Sequence, residues 1–154
     1  MTDERLTPSF WLSEFFKSDT ALRKGIDNTP TPEALANIRT LLGPGMQRIR
    51  ELLGAPVSIS SGYRSPALNR AVGGSQTSQH SKGQAADFTA PSAGDPLKIC
   101  RKLLEHRDEI GFDQLILEFG QWTHVSFAQI PRGQVLTAKR TPSGVVYVDG
   151  LEII

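Results

Sequence analysis

The sequence predicts an α+β domain in which N-terminal helices pack on a small antiparallel sheet. Two observations carry this reading. Apolar residues recur at helical spacing up to Leu53, and the pattern changes to an alternation of period two from Pro56 onward. Helices come first and strands afterwards, with one helix between the strands, an order that suits an antiparallel sheet better than repeated strand–helix units. With 154 residues, 38% of them hydrophobic and 21% charged, the chain is expected to form one domain over residues 1–154 with a core that needs no covalent staples.

Each element has its own signal. Phe10, Trp11, Leu12, Phe15 and Phe16 suit a short amphipathic helix over Ser9 to Phe16, with Ser9 as its cap. A polar loop follows. Thr31 then caps a helix that has Pro32 at its first position, Glu33 in its first turn and Leu35, Ile38, Leu41 and Leu42 inward. Gly43-Pro44-Gly45 interrupts it, yet Met46, Ile49, Leu52 and Leu53 resume the period, so two helices or one kinked helix run to Gly54. Pro56 to Tyr63 reads as a strand with Val57 and Ile59 on one face. Residues 64–83 read as a long functional loop that hides a short helix over Ser65 to Arg70. Ala85 to Thr89 is a short strand, and Pro96 to Glu109 a helix capped by Asp95 with Leu97, Cys100, Leu103 and Leu104 inward. Leu115 to Glu118 and Trp122 to Phe127 form a hairpin through Gly120, and residues 129–154 form a further β extension that covers a sheet edge.

Bulk properties exclude several classes of function. A net charge of +1 does not favour nucleic acid as a partner. Cys100 is the single cysteine, so no intramolecular disulfide is expected. No stretch approaches the roughly 18 apolar residues of a membrane span. The start MTDERLTPSFWLSEFF lacks the basic and apolar regions of a signal peptide, so synthesis in the cytoplasm is expected. A monomer is expected.

The segment SQHSKGQAAD, Ser78 to Asp87, carries the chemistry. His80 stands at the end of the flexible loop and Asp87 in the next strand, with Gly83 allowing the chain to bend between them. Ala85 and Ala86 are expected to leave room for substrate, and Ser78 to steady the loop by hydrogen bonding. Of the other histidines, His106 lies at a charged helix end and reads as solvated. His124 lies on a strand face with Trp122 and Ser126, opposite Thr123, Val125 and Phe127. Two histidines and one carboxylate with an open fourth position are a catalytic zinc set, which His80, Asp87 and His124 supply.

The pattern Ser78-x-His80-x-x-Gly83-x-Ala85-x-Asp87 followed by Trp122-x-His124 resembles the zinc site of the M15 peptidases. That family includes D-alanyl-D-alanine carboxypeptidases and dipeptidases and phage L-alanyl-D-glutamate endolysins, and hedgehog domains have a similar fold. The resemblance covers about residues 8–128, including Ser61-Gly62-Tyr63-Arg64-Ser65. It implies a hedgehog/DD-peptidase-like fold, one zinc ion held by His80, Asp87 and His124, and a peptidoglycan peptide as substrate held in part by Arg64. Many family members have a carboxylate three residues before the last histidine ligand, where this chain has Gln121. Glu118, six residues before His124 across the turn, resembles the longer hedgehog-type spacing and is the expected acid/base group. Arg64 can grip a carboxylate or stabilise an oxyanion. Tyr63, Ser78, Gln79 and Trp122 are expected to line the cleft. A carboxypeptidase and an endopeptidase are both compatible with the residues, as is a zinc-containing binding module that has lost catalysis. Resemblance to phage members points to cell-wall lysis, after release by a holin or delivery in a virion.

Overall fold

A computed structural model of the protein describes residues 3–153. Its helices are α1 (Asp19–Lys24), α2 (Pro32–Asn37), α3 (Gly43–Leu53), α4 (Pro66–Ala71), α5 (Pro96–Glu105) and α6 (Arg107–Ile110). Its strands are β1 (Ser58–Ser61), β2 (Ala85–Thr89), β3 (Gln114–Glu118), β4 (Trp122–Ser126), β5 (Gln134–Thr141) and β6 (Gly144–Asp149). They form one sheet in the order β1-β2-β4-β3-β5-β6. The α+β expectation holds, with one difference in the sheet: β5 pairs with β3 in parallel, while every other pairing is antiparallel. The connection over residues 127–133 carries the chain from β4 past β3, so β5 runs in the direction of β3.

The N-terminal piece is shorter than its sequence suggests. A 3-10 turn covers Leu12–Phe15, preceded by Trp11 rather than capped by Ser9, and the Glu14 carboxylate accepts the Trp11 N–H. Ser9 instead donates its backbone N–H to Gln47 Oε1. Phe10, Leu12 and Phe15 are buried, whereas Trp11 is exposed. The stretch read as a polar loop contains α1, capped by Ser18 Oγ accepting from Ala21 and closed by Gly25 in the left-handed region.

The segment from Pro32 to Leu53 is one helical path. Thr31 caps it through the Ala34 N–H. A π turn over Ile38–Leu42 links α2 to α3, with Gly43 N–H donating to Ile38 O five residues back. The cause is Pro44, which has no N–H to donate and whose ring crowds the carbonyl four residues earlier. A wider turn absorbs both problems without ending the helix. The expected helix over 96–109 divides at His106, where α5 gives way to the short α6.

These helices cover one face of the sheet. Phe88 from β2, Val125 from β4, and Leu115 and Leu117 from β3 meet Ile38, Met46 and Ile49 from the long helical path and Ile99, Cys100 and Leu103 from α5. The period of two then sends the intervening side chains, Asp87, Trp122, His124, Ile116 and Glu118, to the opposite face. Helix packing thus fixes which side chains are free for chemistry. Among the described residues, no helix is long and apolar enough to cross a membrane.

Gly45 is where α3 lies against the end of β4, and a Cβ there would stand inside the van der Waals envelope of three Phe127 ring atoms. Gly45→Ala is expected to destabilise the fold by roughly 1–3 kcal/mol through overpacking. Urea unfolding should show a lowered midpoint with an unchanged slope.

Candidate metal centre

Register brings the motif residues together. Asp87 on β2 is directly opposite His124 on β4, and His124 is opposite Ile116 on β3. One step toward the hairpin turn, Trp122 is opposite Glu118. His80 enters from outside the sheet, on a 3-10 turn over Gln79–Lys82 that Ser78 Oγ caps by accepting the His80 N–H. The turn ends at Gly83, with φ of 72° and so close to the Ala34 carbonyl that a Cβ would collide with it. Only glycine meets both demands.

The two imidazoles are aimed by different partners. His80 Nδ1 lies 2.8 Å from the Gly62 carbonyl, which can only accept, so Nδ1 carries the proton and Nε2 keeps its lone pair. That Nε2 is 3.4 Å from Asp87 Oδ1. His124 turns Nδ1 inward, 2.9 Å from Asp87 Oδ1 and 3.6 Å from Glu118 Oε1. Donor atoms of His80, Asp87 and His124 all lie within 4.8 Å of one another. Burial lowers the pKa of His80 and so keeps its ring neutral, despite the pull of Asp87 in the other direction. Burial alone would raise the Asp87 carboxyl, but contacts with the two histidines outweigh it and hold it well below the usual carboxylate range. A neutral nitrogen donor and an ionised oxygen donor, sheltered from water, are what a zinc ion takes as ligands. The residues therefore fit the metal that their pattern implies.

Glu118 and Arg64 flank this cluster. Burial raises the Glu118 carboxyl above its ordinary value, and the Asp87 charge adds to that, against the opposing pull of His124, Arg64 and Arg140. The turn after Glu118 has φ of 56° at Phe119 and 66° at Gly120, the double positive φ of a type I′ connection. Gln121 sits exposed at that tip. Desolvation lowers the pKa of Arg64, while Asp87 and Glu118 favour its charge. Its buried Nε has no hydrogen-bond partner among the described residues.

The cluster opens into a cleft of about 690 Å³ between the free face of the sheet and residues 72–80. Ser78, Gln79 and Trp122 line it, and the Trp122 indole N–H is buried without a partner among the described residues. Tyr63 does not line it. That side chain is 2% exposed and belongs to the core, because β1 delivers it beneath the 3-10 turn at Leu12–Phe15, where its N–H donates to Phe15 O. Tyr63 borders only a second hollow of about 450 Å³, which meets the cleft at Arg64 and Asp87. Ala85 and Ala86 are also buried, since β2 is an inner strand, and neither lines the cleft. His106 caps the end of α5, its Nδ1 2.9 Å from the Lys102 carbonyl, away from the cluster.

Two participants were not evident in the sequence. Asp113, buried at the start of β3, accepts hydrogen bonds from the Arg132 guanidinium and backbone N–H and from Gln79 Nε2. It ties the residue beside His80 to the segment leading into β5. Tyr147, on β6, lines the cleft from its far side. The Asp113 partners Arg132 and Gln79 are 19 and 34 residues away in sequence, beyond the reach of any local pattern.

A family model described as Peptidase M15 matches residues 8–126. No curated protein matches the chain.

Zinc added to the purified protein is expected to raise its melting temperature, by about 2.7 kcal/mol of stability at a hundredfold excess over Kd. Asp87→Ala or His124→Ala should lose most of that response in a thermal scan. A separate expectation concerns pH. Burial would raise the Asp113 carboxyl, but the Arg132 contacts and the Gln79 amide hold it down at about 2. A depressed folded pKa contributes stability that is complete above the unfolded pKa and is lost as pH falls through the folded one. The stability advantage of wild type over Asp113→Asn, about 1–2 kcal/mol given the exposed Arg132 partner, should therefore shrink between about pH 4 and about pH 2. Denaturant midpoints of the two proteins across that range measure it.

Proposed function

Because the chain belongs to the M15 peptidases, a family of metallopeptidase hydrolases, we propose that it is a zinc peptidase cutting the peptide part of bacterial peptidoglycan. The observation that carries this reading is the convergence of His80, Asp87 and His124, with Glu118 Oε1 only 3.6 Å from His124 Nδ1. One zinc ion would be held by His80 Nε2, Asp87 and His124 Nδ1. What zinc supplies in such a site is Lewis acidity, which polarises a carbonyl and lowers the pKa of bound water to about 7.

The chain's own groups do the rest. Glu118 takes a proton from the attacking water on its carboxylate and returns one to the departing amine. Its raised pKa suits both halves of that exchange, since an acid/base group works best when its pKa lies near the operating pH. Gln121 cannot exchange protons, and its exposed place at the hairpin tip leaves this role to Glu118. Arg64 brings a guanidinium to the cleft wall with an unpaired buried Nε. It is suited to a substrate carboxylate or to the negative oxygen that develops as the carbonyl is attacked. Resemblance of Ser78 to Asp87 to phage-type members supports the finer reading of phage or prophage cell-wall lysis, with the protein acting at the wall.

The test is hydrolysis of purified peptidoglycan and stem peptides, followed by mass spectrometry, with and without a chelator. Cleavage that ignores the chelator would sink the proposal. Glu118→Gln is expected to lower kcat by about 10²–10⁴-fold while retaining its zinc. Wild-type turnover with zinc still bound would remove Glu118 from the mechanism and leave the metal reading in place.

A further inference from the structure

The family match ends at residue 126, but the cleft does not. Its far wall comes from β5 and β6, through Leu136, Val145 and Tyr147. In the register of the sheet, Glu118 is beside Ala138 and Ala138 is beside Tyr147. The three side chains share the free face of the sheet, in a row spanning roughly 10 Å at the usual strand spacing. Ala138 is completely buried and small, so the larger groups on either side stand over it. Tyr147 is 56% exposed and Val145 is 47% exposed, an apolar surface that lines the cleft and that no other described residue covers. Phe119 joins the hairpin to this wall: its N–H donates to the Ala138 carbonyl, and the Arg140 guanidinium lies 3.8 Å from its ring centroid.

Strand order turns this wall into a direction. Crossing the free face from β1, one meets Arg64 beside the second hollow, then Asp87 and His124, then Glu118, and last Tyr147. A group that protonates a departing amine must be within hydrogen-bond reach of that nitrogen. The departing half of a peptide therefore lies on the Glu118 side of the metal ligands. That side is the one β5 and β6 enclose. The acyl half lies on the opposite side, toward Arg64 and the second hollow.

We infer that Leu136, Val145 and Tyr147 form the subsite for the leaving-group residue of the substrate, and that Tyr147 selects an apolar side chain there. The inference rests on the peptidase reading for the identity of its ligand. Its chemistry follows from the wall: two aliphatic side chains and a phenol ring face a residue with an alkyl side chain. Tyr147 also brings a phenol hydroxyl to the wall, which can donate to the peptide backbone.

The test uses the whole chain with zinc, ¹⁵N-labelled for NMR, and two probes. One is a dipeptide with a free amine, an N-terminal alanine and a blocked C-terminus, standing for the departing half. The other is an N-acetylated dipeptide with a free carboxylate, standing for the acyl half. The first is expected to shift the amides of Leu136, Val145 and Tyr147, and the second those around Arg64 and Val72. Tyr147→Ala should weaken the first probe about tenfold, the scale of a lost apolar pocket contact, and leave the second unchanged. Exchanged shift patterns, no shift on β5 and β6, or equal weakening of both probes would overturn the inference. Hydrolysis separates it from the reading it rests on. If the probes bind as expected and the wild type cleaves no peptide, the subsite stands and the peptidase assignment falls. If peptides are cleaved and Tyr147→Ala leaves the preference at the leaving residue unaltered, the subsite falls and the peptidase stands.

Discussion

Everything around the cleft is arranged so that one carboxylate, Asp87, can stay ionised although most of it is withdrawn from water. An isolated carboxylate in such a place would take up a proton instead of keeping its charge. Here His80 and His124 flank it, and each of those rings is held by something else. His80 is locked by the Gly62 carbonyl, and its own carbonyl accepts the Arg64 N–H. Asn28 secures the same corner, donating to the Phe16 and Tyr63 carbonyls and accepting from the Ser65 N–H. His124 is held by the sheet itself, with β2 on one side and β3 on the other. Three separated pieces of chain must therefore be in place before the cluster exists, which is why its residues are spread over the sequence.

The second constraint is topological. Helices on one face of the sheet bury every second side chain, and what remains exposed is a line of groups ordered by strand rather than by sequence. Electrostatic character changes along that line. Arg64 is cationic, Asp87 is firmly ionised, Glu118 is biased toward its protonated form by burial, and the far wall is apolar. Asp87 and Glu118 are both carboxylates near His124, yet environment separates their roles: the first is fitted to ligation and the second to moving protons.

What could be read beforehand follows from how local each signal is. The three donors were legible because His80 and Asp87 share one short motif and His124 sits on an alternating strand. Glu118 was legible through the hairpin and its resemblance to the longer spacing, since the three-residue turn Phe119-Gly120-Gln121 brings it back opposite Trp122, beside His124. The helix α1 carried its cap and its closing glycine in plain sight, but it buries only Ala21 and leaves Leu22 exposed, so it has no apolar stripe to betray it. Tyr63 looked like a cleft residue because its neighbour Arg64 is one. Adjacent positions leaving a strand point in different directions, and Tyr63 took the inward one. The parallel pairing of β5 with β3 depends on where a connecting segment is pinned. That pin is the long-range Asp113–Arg132 contact, and no local pattern encodes it.

The position of that pin separates two properties along the chain. The His80, Asp87 and His124 cluster, Glu118 and Arg64 all lie within the stretch that matches the peptidase family. The final hairpin lies outside it, joins the site through the parallel ladder of β5 on β3, and is held at two further points: Asp113 binds Arg132 ahead of β5, and the Ala138 carbonyl with Arg140 holds Phe119. The second attachment is on the residue next to Glu118, a non-glycine held at positive φ, a conformation that persists only where its surroundings enforce it. The hairpin thus stabilises the turn that aims Glu118 while its outer strand faces the cleft. Substitutions on the outer strand can reshape the wall without touching the donors, whereas loss of the inner strand would release the turn. The cleft wall at Val145 and Tyr147 is therefore separable from the cluster of His80, Asp87 and His124, whose place the sheet register and the 3-10 turn set.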